Sequence, residues 1–242
     1  MTDIALRPRS GTELLDAAFQ FWRENFALLY TAIAAAFVPV IICEMVALTV
    51  DGFAVVAQIA GRVFEALASA AVIVIVSERY LGRDVTAGQA LARVWSRAWT
   101  IFWTSVLYGL VVAVGFVLFI IPGLYFACKY FAMMPAVVIE GLNSSTSQKR
   151  SAQLTKGSKR RVLNIVVAAW IIYFILLSFV TGLAQVMFSG LIGAVVTRLV
   201  LGAVYPFIGI LVTLLYYDLR IRNEGLDLDL MMAEPAIRPA TA

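Results

Sequence analysis

Histidine is absent from the chain of 242 residues. That removes the usual general base near neutral pH, the Ser/His/Asp and Cys/His nucleophile arrangements, and the commonest metal ligand. Charge is scarce too. Asp, Glu, Lys and Arg make up 14% of the residues, against about 25% in a soluble domain. The two cysteines, Cys43 and Cys128, lie inside apolar runs and form no CxxC, so neither a zinc site nor a disulfide framework is indicated. Both read as small apolar fillers. A soluble enzyme, a nucleic-acid-binding module and a disordered chain are excluded on this composition. No catalytic residue, metal or cofactor is expected.

Apolar residues fill the space that charge leaves, at 62% of the chain. The first long apolar run begins at Phe26 and ends at Val50, a full span and not the short core of a cleavable signal. About 20 residues cross a hydrocarbon layer, and six such spans are expected. They are Phe26–Leu48, a second within Phe53–Leu81, Thr100–Ile121, Leu124–Ile139, a fifth from Val162 and a sixth ending at Tyr217. Pro135 should break the fourth. Outer turns are expected at Thr49–Gly52 and Pro122–Gly123, and the turn between the last two spans at Gly182, Ser189–Gly190 or Gly193, with Ser189–Gly190 favoured. The chain reads as one membrane domain over residues 1–232 with a loose tail over 233–242.

Basic residues set the orientation. Arg7, Arg9 and Arg23 precede or open the first span. Arg79, Arg83, Arg93 and Arg97 lie between the second and third. Lys149, Arg150, Lys156, Lys159, Arg160 and Arg161 lie between the fourth and fifth, and Arg220, Arg222 and Arg238 follow the sixth. Only Arg62, Lys129 and Arg198 fall elsewhere. This positive-inside pattern places both termini in the cytoplasm, with an inner-membrane, multi-pass location.

Three capping boxes precede spans: Ser10-Gly-Thr-Glu13, Thr86-Ala-Gly-Gln89 and Ser145-Thr-Ser-Gln148. Each opens an amphipathic stretch. In the first, Leu15, Phe19, Trp22 and Phe26 share a face. In the second, Leu91, Val94, Trp95 and Ala98 face lipid. The ninth residue after each cap is bulky: Phe19, Trp95, Leu154. The expected fold is therefore all-α, with six transmembrane helices, three cytoplasmic interfacial amphipathic helices, and a repeat of one such helix plus a two-span hairpin. Ala32, Ala34–Ala36, Ala66, Ala68, Ser69–Ala71, Gly182–Ala184, Gly109 and Gly115 should let helices approach closely.

Four stretches occur in a recognisable order: Ile121-Pro-Gly-Leu-Tyr125, Glu140-Gly, Lys149-Arg-Ser151 with Leu154-Thr-Lys-Gly157, and Tyr216-Tyr-Asp-Leu-Arg-Ile-Arg-Asn-Glu-Gly225. With the opening Leu6-Arg-Pro-Arg-Ser-Gly and Leu14-Leu-Asp-Ala-Ala-Phe19, the chain resembles the membrane domain of the glycerophosphoryl diester phosphodiesterase type over nearly its whole length. In fused members the diesterase activity belongs to a separate soluble barrel, a fold of about 250 residues. All of this chain is taken up by spans and short connections. The resemblance therefore implies the membrane part without the chemistry.

Three groups of charged residues are candidate sites. Glu44, Arg62, Glu65, Lys129 and Arg198 fall in the outer half of the spans, where isolated charges are costly and should pair, face water or snorkel. They read either as an anion-binding cavity or as a structural network, with Glu44 or Glu65 the expected partner of Lys129. Lys149, Arg150, Lys156, Lys159, Arg160 and Arg161 form a basic cytoplasmic loop suited to anionic lipid headgroups. Asp218, Arg220, Arg222, Glu224 and Gly225 form a C-terminal motif with acid–base pairs four apart and a glycine C-cap. The expected function is a non-catalytic multispan module that binds lipid or a membrane or cytoplasmic protein partner, with no nucleic acid. A small transporter or lipid translocator using the outer-half charges is the alternative.

Overall fold

A computed structural model describes residues 9–47, 49–50, 52–188, 196, 200 and 202–225. Arg198, the expected turn at Ser189–Gly190 and the tail lie outside them. Among the described residues there are helices and no strands: α1 (Gly11–Glu24), α2 (Phe26–Ala47), α3 (Ala54–Tyr80), α4 (Ala87–Trp95), α5 (Ala98–Leu118), α6 (Ile120–Tyr130), α7 (Met133–Ile139), α8 (Ser144–Leu154), α9 (Lys159–Met187) and α10 (Pro206–Glu224). Six helical segments are long and apolar enough to cross a membrane. These are α2, α3, α5, α6 with α7, the Lys159–Ala184 part of α9, and Gly202–Glu224 around α10. The all-α, multi-pass class follows directly from the apolar runs.

Helices α3 and α10 form the axis. About half of each apolar window is buried (50% and 56%), against 17% for α5 and α9. Ser77 and Tyr217 hydroxyls bond at 2.7 Å across this pair, and the Tyr80 and Tyr217 rings stack at 4.7 Å. Small residues permit the packing: Ala66, Ala68, Ala70 and Ala71 on α3 and Ala32 on α2 are buried, so backbones approach closely.

The α5–α6 hairpin turns earlier than expected. The break is at Phe119, in extended backbone, and Pro122–Gly123 sit in the first turn of α6. A first-turn proline loses no helical hydrogen bond, so Pro122 starts this helix and does not interrupt one. Gly123 is required by packing. A Cβ there would lie 2.5 Å from the Phe116 ring, and one on Gly115 would lie 2.9 Å from the Gly123 Cα. Gly109 does not serve close approach: nothing lies within 4 Å of where its Cβ would be. The fourth span is broken at Phe131–Ala132, not at Pro135, which falls in the first turn of α7. Pro135 has no N–H to give the Phe131 carbonyl, and in a continuous helix its ring would clash with that carbonyl, so the helix parts one turn upstream.

Two expected caps are present in full. Ser10 and Glu13 cap α1 reciprocally, and Thr86 and Gln89 cap α4. The third differs. Asn143, not Ser145, caps α8, accepting from the Thr146 N–H at 3.0 Å. Gly141, at φ +70°, turns the chain sharply after α7, and the asparagine just beyond it is among the strongest N-caps. Leu154 is therefore not the ninth residue after a cap, and the expected frame of the repeat holds for two segments only.

The apolar faces of α1 and α4 are also differently used. Leu14, Ala18 and Phe21 are buried in the protein, while Phe19 and Phe26 are exposed. Trp22 is half-buried and donates its indole N–H to the Ala203 carbonyl at 2.8 Å. Of the expected apolar face of α4, Val94 is buried, Leu91 is half-buried and Trp95 is exposed. Against the bundle α1 thus sets Leu14, Ala18 and Phe21, with Phe19 exposed, and α4 sets Ala90 and Val94, with Trp95 exposed.

Candidate functional site

The polar ends of the helices meet at one end of the bundle, here termed the basic face. Asp218, only 2% exposed, lies on the last turns of α10. It accepts from the Arg9 backbone N–H at 2.8 Å, from Arg161 Nε at 3.1 Å and from Arg222 Nε at 2.9 Å. Both guanidinium groups also donate to the Arg9 carbonyl. One carboxylate therefore ties α10 to the first turn of α9 and to the segment that leads into α1. The expected pairs Asp218–Arg222 and Arg220–Glu224 (3.1 Å) are both present, and Gly225 at φ +66° caps the helix.

A second network centres on Arg150 of α8. Its Nε donates to Glu140 at 2.8 Å and its Nη2 to Glu140 at 2.8 Å and to Glu224 at 2.9 Å. The Tyr216 hydroxyl donates to Glu140, and Arg220 lies 3.7 Å from it. Burial alone would raise the Glu140 carboxyl. The Arg150 and Tyr216 hydrogen bonds, with the charges of Arg150 and Arg220, outweigh burial and hold it below the ordinary carboxylate value. Arg97 closes this end, donating to the Val137 carbonyl at 2.9 Å and to that of Gly141. Sequence reading did not find Glu140, Tyr216 or Arg97 as partners, because their separations along the chain exceed any helical spacing.

The expected basic loop is not a loop. Lys149–Arg161 comprises the end of α8, a turn over Thr155–Ser158 and the first turn of α9. Arg150 and Arg161 are consumed in the two networks, and Lys159 donates to the Tyr125 hydroxyl at 3.0 Å. Lys149, Lys156 and Arg160 are exposed and form no ion pair among the described residues.

Only part of the expected outer cluster assembles. Arg62 and Glu65 pair at 3.0 Å, as their spacing of three residues implies. Arg62, Glu65 and Glu44 line a common cavity of about 410 Å³ with Gln58. Lys129 is elsewhere. Its carbonyl accepts from Ser151 Oγ at 2.9 Å and Thr155 Oγ1 at 3.3 Å of the α8 end. Its ammonium lies over the Tyr130 and Tyr125 rings at 5.1 and 5.9 Å. The cause is the break after α6. That helix ends at Tyr130, so Lys129 sits at its C-terminal end against α8 and does not line the cavity of Arg62, Glu65 and Glu44. Ser151 mends the break, since it also accepts from the Ala132 N–H at 3.1 Å. Ser147, Ser151 and Thr155 are all fully buried. Their spacing of four residues is the sequence signal that could have revealed a polar stripe on α8.

A half-open cavity of about 760 Å³ is enclosed by α3, α5, the α6–α7 joint, α9 and α10. Its walls are mostly apolar: Val72, Ile73, Phe102, Phe131, Met134, Trp170, Ile208 and Val212. Gly109 and Ala113 of α5 border it, which is why the space above Gly109 is empty. Arg62 and Glu65 border both this cavity and the smaller one, so a charged pair stands where the two meet. Tyr205, immediately before α10, holds that corner, donating to the Glu65 carbonyl at 3.0 Å. Apolar walls with one ionic corner suit an amphiphile, with apolar chains against the walls and polar atoms at the pair. Among the described residues no group of His, Cys, Asp and Glu could hold a metal ion. No family model, curated protein or solved structure matches the chain.

Proposed function

We propose that this protein is a non-catalytic membrane module that holds a lipid in the α3–α5–α9–α10 cavity. It sits in a bacterial inner membrane with both termini and the basic face in the cytoplasm. The cavity carries the reading. It is as large as a small-molecule site, apolar along its length, and ends at the Arg62–Glu65 pair. The networks around Asp218 and Arg150 use most of the C-terminal motif for holding helices together, which leaves that motif a scaffold role. The resemblance to the membrane part of the diesterase type agrees with a module that lacks the chemistry.

Filling the cavity tests this. Gly109→Phe places a ring in the empty space on α5. The full-length variant should remain folded in detergent and lose a lipid that wild type retains through purification, read by native mass spectrometry. Equal retention would defeat the reading. Reporter fusions after Gly52 and at Ala242 should give opposite sidedness, and a periplasmic C-terminus would overturn the proposed orientation.

The second reading is a small transporter or lipid translocator. The observation that favours it is the shared wall: Arg62 and Glu65 join the apolar cavity to a smaller one that also carries Glu44 and Gln58. Headgroup scrambling in proteoliposomes that stops with Arg62→Gln would select it.

A further inference from the structure

We propose that Lys129, Lys159 and Tyr125 form a binding site for a phosphate-bearing lipid headgroup on the α6–α9 side of the basic face. The two ammonium groups converge on one phenol. Lys159 Nζ donates to the Tyr125 hydroxyl at 3.0 Å and lies 4.4 Å from the ring centroid, and Lys129 Nζ lies 5.9 Å from the same centroid. Tyr130 holds Lys129 from its other side at 5.1 Å. Aromatic faces fix a cation in place without cancelling its charge. A carboxylate would cancel it, but no carboxylate among the described residues forms an ion pair with either lysine. The contrast with the rest of this face is informative. Arg150 and Arg161 stand nearby in the chain, and each has a carboxylate partner.

The fold thus brings two like charges to one ring, where they repel, and no carboxylate among the described residues pairs with either. An anion of the size of a phosphate group would relieve that repulsion and accept hydrogen bonds from both ammonium groups. Tyr125 is exposed on one side, so the site is open to a ligand. Exposed Lys156 and Arg160 flank it in sequence and would add a general attraction for anionic surfaces. The site is separate from the large cavity and shares only Tyr130 with it, so the two can be tested apart.

The test compares two double variants of the full chain that remove equal charge. Thermal unfolding is followed in detergent micelles titrated with phosphatidylglycerol, with phosphatidylcholine, or with inorganic phosphate. Phosphatidylglycerol should raise the wild-type midpoint and phosphatidylcholine should not. Lys129→Gln with Lys159→Gln should weaken the phosphatidylglycerol response roughly thirtyfold in concentration, from two lysines lost at a charged interface. Lys156→Gln with Arg160→Gln should weaken it far less. The first pair should also leave the lipid-free midpoint unchanged or raised, since it removes a repulsion. Should that pair fail to fold, Tyr125→Leu keeps both charges but removes the ring that gathers them, and it should lose most of the response. A wild-type response to inorganic phosphate that the first pair abolishes keeps the site and assigns it to a soluble phosphate. Equal losses in the two pairs, or an unchanged response in the first, would overturn the proposal.

Discussion

Ser151→Ala isolates the contact that holds the broken fourth span. The hydroxyl donates to the Lys129 carbonyl and accepts from the Ala132 N–H, the two groups left exposed where α6 stops and α7 begins. Alanine removes both bonds. The carbonyl keeps Thr155 Oγ1 at 3.3 Å, but the amide loses the hydroxyl in a buried position. An unsatisfied buried donor costs about 1–3 kcal/mol. Hydrogen bonds between helices in membrane proteins average nearer 0.6 kcal/mol, because the unfolded state in detergent or lipid also finds partners. Two bonds lost at a buried break place the expected cost at about 1.5 kcal/mol. Thr155→Val removes the longer bond to Lys129 and, with it, the hydroxyl's bond within α8 to the Ser151 carbonyl at 2.9 Å, and should cost less than half as much. Because both hydroxyls serve one carbonyl, the double variant should be worse than the sum of the two. The assay is reversible unfolding in mixed micelles of mild detergent and dodecyl sulfate. A cost for Ser151→Ala below about 0.3 kcal/mol, or strict additivity with Thr155→Val, would show that the break is held by something other than α8.

Three further outcomes are expected. Glu140 has a depressed carboxyl in the folded state, so its contribution is fully present above the ordinary value of 4.5 and is lost as pH falls below it; thermal midpoints should drop through that acid window, and Glu140→Gln should flatten the drop while lowering stability at neutral pH. Asp218→Ala leaves Arg161 and Arg222 without the carboxylate they share, and should cost about 3–5 kcal/mol in the same micelle assay, with a full-length product that is trimmed more readily by protease near Arg9. Gly123→Ala forces a Cβ into the Phe116 ring and should destabilise the protein by about 1–3 kcal/mol, whereas Gly109→Ala meets open space and should be neutral or stabilising by up to about 1 kcal/mol. Equal effects at the two glycines would refute the α5–α6 packing described above.

How much of this was legible in the sequence depends on distance along the chain. The spans, the Ser10 and Thr86 caps, the pairs Arg62–Glu65 and Asp218–Arg222 and the Gly225 cap all arise between residues a few positions apart, where helical geometry fixes who meets whom. Errors arose where a local signal had two physical meanings. Pro122–Gly123 suits a turn, but it equally suits a helix start whose glycine lets another helix approach. Ser145 and Asn143 both cap helices, and the left-handed Gly141 decides between them. Grouping Lys129 with Glu44 and Glu65 assumed a straight span, and the break at Phe131–Ala132 removed that assumption.

The cavity and the two networks on the basic face were not legible, for a different reason. Glu140 meets Tyr216, and Asp218 meets Arg9 and Arg161, only because α10 lies at the axis and the ends of several helices converge on its last turns. Hydropathy reports that a residue is apolar, not which apolar neighbours leave a gap between them. Yet one trace of this arrangement was present. Charges at the basic face that find carboxylates and charges that find only aromatic rings are equally visible as lysines and arginines in the chain. What separates them is whether an acid sits on a converging helix end. Asp218, Glu140 and Glu224 all lie on the α7–α8–α10 side, and the acid-free stretch from Lys149 to Arg161 must therefore be neutralised from outside itself. Arg150 and Arg161 reach across to those acids. Lys159 starts α9 on the far side, beside α6, where Tyr125 is its partner and the remaining charge is left for a ligand.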